Sequence, residues 1–357
     1  MRQQFKILAI NPGSTSTKIA VYTNEQINFE QIIRHTIDEL KTFAAIYDQY
    51  EYRLALVEKA LIDHSICVNE LSAVVGRGGP LKPAASGTYT VNELMAEDLK
   101  IGIQTQHASN LGGLLARGIA GKVNIPAFIV DPVSVDELEP LARITGLPEI
   151  SRPSLFHALN LKAVAHRMTK ELGKDYCELT LILVHLGGGI SVGVQQNGRM
   201  IDVTNPNDLG PFSPERAGSV PSHALVKLCF SGNYTEEEIK RKLVGNAGLM
   251  AHLGTSDGRE VENRIANGDA KAALIYEAMA YQVAKEIGAM ATVVQGNLDA
   301  IVLTGGLAHS KMLVKLITDR VQFIKQVLVY PGEDELKALV EGALRVLRGE
   351  ELPKEYK

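Results

Sequence analysis

Two stretches of this chain, far apart in sequence, repeat one pattern. Ile7-Leu8-Ala9-Ile10 runs into the small polar turn Asn11-Pro12-Gly13-Ser14-Thr15-Ser16-Thr17 and leaves through Lys18-Ile19-Ala20-Val21-Tyr22. Leu181-Ile182-Leu183-Val184-His185-Leu186 runs into Gly187-Gly188-Gly189 and leaves through Ile190-Ser191-Val192-Gly193-Val194, with Asn197-Gly198 as a hairpin turn further on. An apolar run, a turn of small residues and a second apolar run read as strand, turn, strand. Each stretch opens a sheet of its own. A chain of 357 residues carries about two domains' worth of core, so the sequence predicts an internally duplicated protein.

Further β-rich runs at residues 72–75, 127–130 and 300–303 alternate with helical patterns, which predicts an α/β architecture. Leu40, Phe43, Tyr47, Tyr50, Leu54, Val57 and Leu61 alternate three and four apart and predict one amphipathic helix over 40–61 packed on a sheet. The apolar segment 272–294 contains Lys285 and Glu286, so it reads as a buried or interface helix and not as a membrane span.

The partners are bounded by charge. Lysines and arginines number 37 against 41 acids and form no dense run, which argues against nucleic acid and against a membrane surface. Cys67, Cys177 and Cys229 lack the paired spacing of metal or redox motifs, and the first apolar run is too short for a signal-peptide core. A cytoplasmic protein with reduced thiols is expected.

The first turn offers backbone N–H groups and the hydroxyls of Ser14, Thr15, Ser16 and Thr17 with little bulk, as close approach to phosphate oxygens requires. A plain polar hairpin would look the same. Neither G-x-x-x-x-G-K-[ST] nor G-x-G-x-x-G occurs, which excludes the usual P-loop and dinucleotide fingerprints. Thr304-Gly305-Gly306-Leu307 follows an apolar strand and precedes a helical pattern, a place where ligands gather.

In order, Ile10-Asn11-Pro12-Gly13-Ser14-Thr15-Ser16-Thr17-Lys18, Gly76-Arg77-Gly78-Gly79, His107-Ala108-Ser109-Asn110, Ser154-Leu155-Phe156-His157-Ala158, His185-Leu186-Gly187-Gly188-Gly189, Pro214-Glu215-Arg216 and Thr304-Gly305-Gly306 resemble the acetate and butyrate kinase family, nearest in form to its butyrate branch. The match spans nearly the whole chain. The resemblance implies the superfamily of acetate and sugar kinases, heat-shock chaperones and actin: two ribonuclease-H-like domains of duplicated topology with ATP in a nucleotide cleft between them. The two phosphate-facing hairpins in different halves predict closure over the nucleotide. The expected domains are 1–150 together with 331–357, and 151–330. The expected reaction is reversible phosphorylation by ATP of a short-chain fatty acid, butyrate or a branched relative, to an acyl phosphate and ADP. Acetate or propionate, or an alcohol or sugar acceptor, are the enzyme alternatives, and a nucleotide-dependent binding protein is the alternative of another class. A homo-oligomer, at least a dimer, is expected from the resemblance and from the apolar segment near Tyr276.

Phosphoryl transfer to a carboxylate gathers negative charge, so guanidinium groups suit the site. Arg77, between glycines, can grip the carboxylate in a two-pronged manner. By resemblance Arg216 contacts the transferring phosphoryl group, an ion pair with Glu215 being the competing reading. His107, His157 and His185 are expected to hydrogen-bond substrate or phosphoryl oxygens, beside Ser14, Ser16 and the backbone of Gly187, Gly188 and Gly189. Asp131 is expected to position Arg77, Arg216 or a metal-bound water, with helix capping as the alternative. No strong base is needed, because carboxyl groups are ionised well below neutrality. The resemblance implies Mg2+, with Asn11 and a C-terminal acid as ligands. Gly332-Glu333-Asp334-Glu335 offers Asp334 or Glu335, and Glu335 is preferred, although either can instead be a first-turn acid of the last helix. Gly305, Gly306, Asp257 and Arg259 are the expected nucleotide contacts, with N-capping by Ser256 or Asp257 as the alternative.

Overall fold

The computed structural model describes residues 4–357. The chain packs as two compact units, one comprising residues up to Asp136 together with Asp334–Lys357, the other Glu137–Glu333. The sequence boundaries at 150/151 and 330/331 therefore shift. Residues 137–150 go with the second unit, where Glu139 donates its N–H to Ile201 O (2.9 Å) and buried Lys162 binds Glu137 (2.7 Å).

In the first unit the strands are β1 (Lys6–Pro12), β2 (Ser16–Thr23), β3 (Gln26–Arg34), β4 (Ala73–Arg77), β5 (Thr88–Thr90) and β6 (Ala127–Val130). The second unit holds β7 (Thr180–Leu186), β8 (Ile190–Gln196), β9 (Arg199–Val203), β10 (Ala300–Gly305) and β11 (Val327–Pro331), and β12 (Lys354–Glu355) returns to the first. Among the described residues the sheets run β12-β5-β6-β4-β1-β2-β3 and β11-β10-β7-β8-β9. β1 is antiparallel to β2, β2 to β3, and β1 is parallel to β4, as β4 is to β6. The second sheet repeats this series: β7, β8 and β9 antiparallel, then β7, β10 and β11 parallel. This is the duplication that the two hairpins announce, in the ribonuclease-H-like topology that the resemblance implies. Asn197 and Gly198 both take positive φ (52° and 75°) at the β8–β9 turn, as a tight turn matching the strand twist requires.

The helix expected over 40–61 is shorter. One turn, Ile37–Leu40, is closed by a capping box at Thr36, and the longer helix, Tyr50–Asp63, begins only after a 3-10 turn at Tyr47–Gln49. Asp48 takes the Ala45 N–H (2.8 Å), a local bond that competes with helical pairing, while Phe43 packs on Tyr52 at 5.5 Å.

The helix Glu335–Leu347 buries Leu336, Leu339, Val340, Ala343 and Leu344 against β1, β4 and β6. In the second unit the helix Ala270–Val293 buries Tyr276, Met279, Val283, Ile287 and Met290 in that unit's own core. Among the described residues no helix is long and apolar enough to cross a membrane.

Candidate functional site

In the first unit, β4 ends on Gly76-Arg77, and its backbone lies directly on the helix Asn110–Gly121. A Cβ on Gly76 would run into the carbonyl of Gly112, and one on Gly112 into the backbone of Arg77. Only glycines allow that approach. It sets Arg77 beside the segment that carries His107. His107 Nδ1 meets Ser109 Oγ at 2.7 Å and accepts the Ser109 N–H at 3.2 Å, so the ring proton of the neutral imidazole sits on Nε2. Burial, then the nearby Arg77, holds the His107 pKa below its ordinary 6.5. His107 is thus a neutral donor at neutral pH.

The structure brings Asn11, Arg77 and Glu335 together. Glu335 Oε2 accepts from Asn11 Nδ2 (2.5 Å), and Oε1 accepts from Arg77 Nη1. Asp334, in contrast, caps the last helix, its carboxylate accepting the Lys337 N–H at 3.1 Å. Asp131 is buried at the end of β6 in a left-handed conformation (φ 39°), sparsely populated by non-glycine residues. It exchanges two bonds with Gly87: Asp131 N–H to Gly87 O (3.0 Å) and Gly87 N–H to Asp131 Oδ1 (2.7 Å). Asp131 is therefore no helix cap. Ser14 is exposed and Ser16 half-buried at the β1–β2 turn, which Gly13 N–H closes onto Ser16 O (2.7 Å).

In the second unit, His157 and His185 stack with centroids 3.7 Å apart and planes at 9°. His157 Nδ1 meets Ser191 Oγ and His185 Nδ1 meets Asn160 Oδ1, both at 2.9 Å. Glu333 Oε1 lies 3.2 Å from His185 Nε2 and accepts the Gly306 N–H at 3.4 Å. Around the Gly187-Gly188-Gly189 turn, Ser213 Oγ donates to Gly188 O (2.6 Å), and so does Glu215 N–H (3.2 Å). Arg216 lies so close over Gly189 that a Cβ there would sit 2.6 Å from Nη1. Burial draws the Arg216 pKa below its ordinary value while Glu215 opposes this, and the group stays cationic.

A cavity of about 700 Å3 opens beside this turn, lined in part by Gly187, Gly188, Asp257, Arg259, Gly306 and Glu333. Its volume is in the range of small-molecule sites. Gly305 (φ 91°) lies against Leu186, where a Cβ would strike backbone. Asp257 is the N-cap of the helix Gly258–Ala266, accepting the Arg259 N–H (2.9 Å), and also pairs with the Arg259 guanidinium (2.9 Å). Capping and cavity lining thus coexist in one residue. Among the other lining residues, Tyr276 donates to Glu262 (2.8 Å), as does Ser310.

Sequence reasoning missed Glu333, Glu262 and Arg53. Glu333 sits in the acidic segment beside Asp334 and Glu335, and its place directly before them is the signal that finds it. Arg53 interrupts the apolar stripe of its helix, one turn from Tyr50 and Val57, and a charge on a buried stripe is the signal that finds it.

The fold is that of known short-chain carboxylate kinases. The acetate kinase of Porphyromonas gingivalis superposes with a TM-score of 0.78, covering 95% of this chain and 99% of the other at 19% identity. That of Entamoeba histolytica gives 0.76, with 95% and 99% covered, also at 19% identity. In sequence, residues 151–328 match the Acetokinase family, and Butyrate kinase 1 of Clostridium acetobutylicum is 55% identical over 99% of this chain and 100% of that protein. The chain belongs to the acetokinase family.

Proposed function

We propose that this protein is an ATP-dependent kinase that phosphorylates the carboxylate of a short-chain fatty acid, butyrate or a branched relative. One observation carries the reading: the 55% identity to Butyrate kinase 1 spans both chains nearly end to end. A carboxylate oxygen attacks the γ-phosphorus of ATP, one P–O bond forms to the acid and one breaks to ADP. The products are an acyl phosphate and ADP, and the reaction runs in both directions. The acid is already ionised at neutral pH, so no proton need be removed.

Arg77 grips the acid's carboxylate with its planar guanidinium fork. His107 donates from Nε2 to the substrate or phosphoryl oxygens. Arg216, with the backbone of Gly187, Gly188 and Gly189, stabilises charge on the phosphoryl group in transfer. His157 and His185 complete the donors there. The hydroxyls of Ser14 and Ser16 contact phosphate oxygens. Asp131 shapes the end of β6 through Gly87 and positions the groups around Arg77. Gly305, Gly306, Asp257 and Arg259 bind the nucleotide, in keeping with the cavity that Gly306, Asp257 and Arg259 line.

Asn11 and Glu335 fit Mg2+: both present hard oxygen donors, and their mutual bond of 2.5 Å holds them at one place. Bound there through Asn11, Glu335 and waters, the cation would neutralise phosphate charge. A cytoplasmic homo-oligomer completes the proposal, supported by the family resemblance and by Leu274 and Tyr281 standing exposed on the long helix of the second unit.

The protein is incubated with ATP, magnesium, butyrate and hydroxylamine. Butyryl hydroxamate is expected to accumulate, and its absence, with ATP intact, overturns the assignment. A panel of acetate, propionate, butyrate, isobutyrate and 2-methylbutyrate then ranks the acids by kcat/KM.

A further inference from the structure

Arg53 is fully buried beneath the β1–β2 turn. Its Nη1 donates to Gly13 O (2.9 Å), Ser16 O (3.2 Å) and Thr17 Oγ1 (3.0 Å), and its Nη2 to Ser14 O (3.3 Å). Nε and Nη2 both reach Gln49 Oε1, at 3.1 and 2.9 Å. Every one of these acceptors is a neutral oxygen. Burial lowers the Arg53 pKa to about 10, which leaves it a cation at neutral pH.

A buried charge is costly unless it is paired. Here three carbonyls of one turn converge on it instead, and the carbonyl dipoles of that turn are committed inward. Ser14 stands exposed on the same turn. His35 neighbours this group but adds no charge. Its pKa falls to about 4 through burial and then Arg53, and its Nε2 meets Thr17 Oγ1 at 2.9 Å.

We infer that Arg53 is a positioning residue that also acts electrostatically, because its charge, held unneutralised under the turn, raises the affinity of the Ser14-Thr15-Ser16 turn for phosphoryl oxygens. This rests on the turn's phosphate-binding role proposed above. The ligand's negative charge supplies the compensation that no carboxylate among the described residues provides.

The test is Gln49→Glu, which keeps the shape and the Oε1 acceptor but gives the guanidinium a carboxylate partner. Pyrophosphate binding is measured by calorimetry, with thermal melting alongside. Neutralising a charge this close to the ligand is expected to weaken pyrophosphate binding about tenfold while the melting temperature holds or rises. A purely structural Arg53 predicts unchanged binding, and that result overturns the inference. Arg53→Lys and Arg53→Gln are the second pair. Lysine, keeping the charge, should bind pyrophosphate within about threefold of the parent, and glutamine should lose about tenfold. Equal losses in the two, following their melting temperatures, overturn it as well. The hydroxamate assay on the parent stands apart from these measurements, so failure of the acyl kinase reading and failure of the charge effect are told apart.

Discussion

Arg77 donates through Nη1 to Glu335 Oε1 although 258 positions separate them in sequence. The first helical residue of the last helix is thereby tied to the end of β4. Because Asn11 meets the other oxygen of the same carboxylate, one acid joins the proposed substrate grip to the proposed metal site.

That arrangement makes two variants separable. Arg77→Ala should raise the KM for butyrate tenfold or more, with a smaller change in kcat, because it removes a ground-state grip on the acid. Glu335→Gln keeps the shape but loses the charge, and should raise the magnesium concentration needed for half-maximal rate. Steady-state kinetics at varied butyrate and varied magnesium check both, and the reverse pattern would exchange the two roles.

Arg216 is expected to act mainly in the transition state. Arg216→Ala should lower kcat by orders of magnitude while ATP binding and melting temperature stay near those of the parent. Arg216→Lys should recover little, since an ammonium lacks the planar fork. Kinetics and calorimetry on the same preparations decide it, and turnover close to the parent's would leave Arg216 as a structural partner of Glu215.

Stability should fall with acid in a window set by His35. Its pKa is about 4 when folded against an ordinary 6.5, through burial first and Arg53 second. Above 6.5 both folded and unfolded forms are neutral and the full stability is present. As pH falls below 6.5 the unfolded chain takes up a proton that the folded one refuses, and the loss continues to about pH 4. Between pH 7 and 5 the share from His35 is about 2 kcal/mol. Denaturant melts at the two pH values should show it, and His35→Gln should flatten the dependence. His107, shifted the same way, adds to the same trend.

The strands were legible because their apolar runs are short, continuous and bounded by turn residues; the run at residues 127–130 became β6 without change. The helix start was not, because Asp48 and the aromatic packing of Phe43 break a period that the apolar spacing alone satisfies. The residues of the glycine-rich turns could be picked out locally. The tie of Arg77 to Glu335 could not, since nothing in either segment encodes the distant partner. Asp131 shows a third case: its position at a strand end was readable, but the reciprocal bonds to Gly87 depend on β5 lying beside β6.

The first unit is assembled from both ends of the chain, and this orders its birth on the ribosome. About 200 residues separate its two segments, or roughly 10 to 40 s of synthesis at ordinary rates. Through that interval, while the second unit is being made, the faces of β1, β4 and β6 that await Leu339, Val340 and Ala343 stay uncovered. The sheet that is made first is the last to be sealed, so the nascent protein carries an apolar surface for chaperones to guard until its final helix arrives.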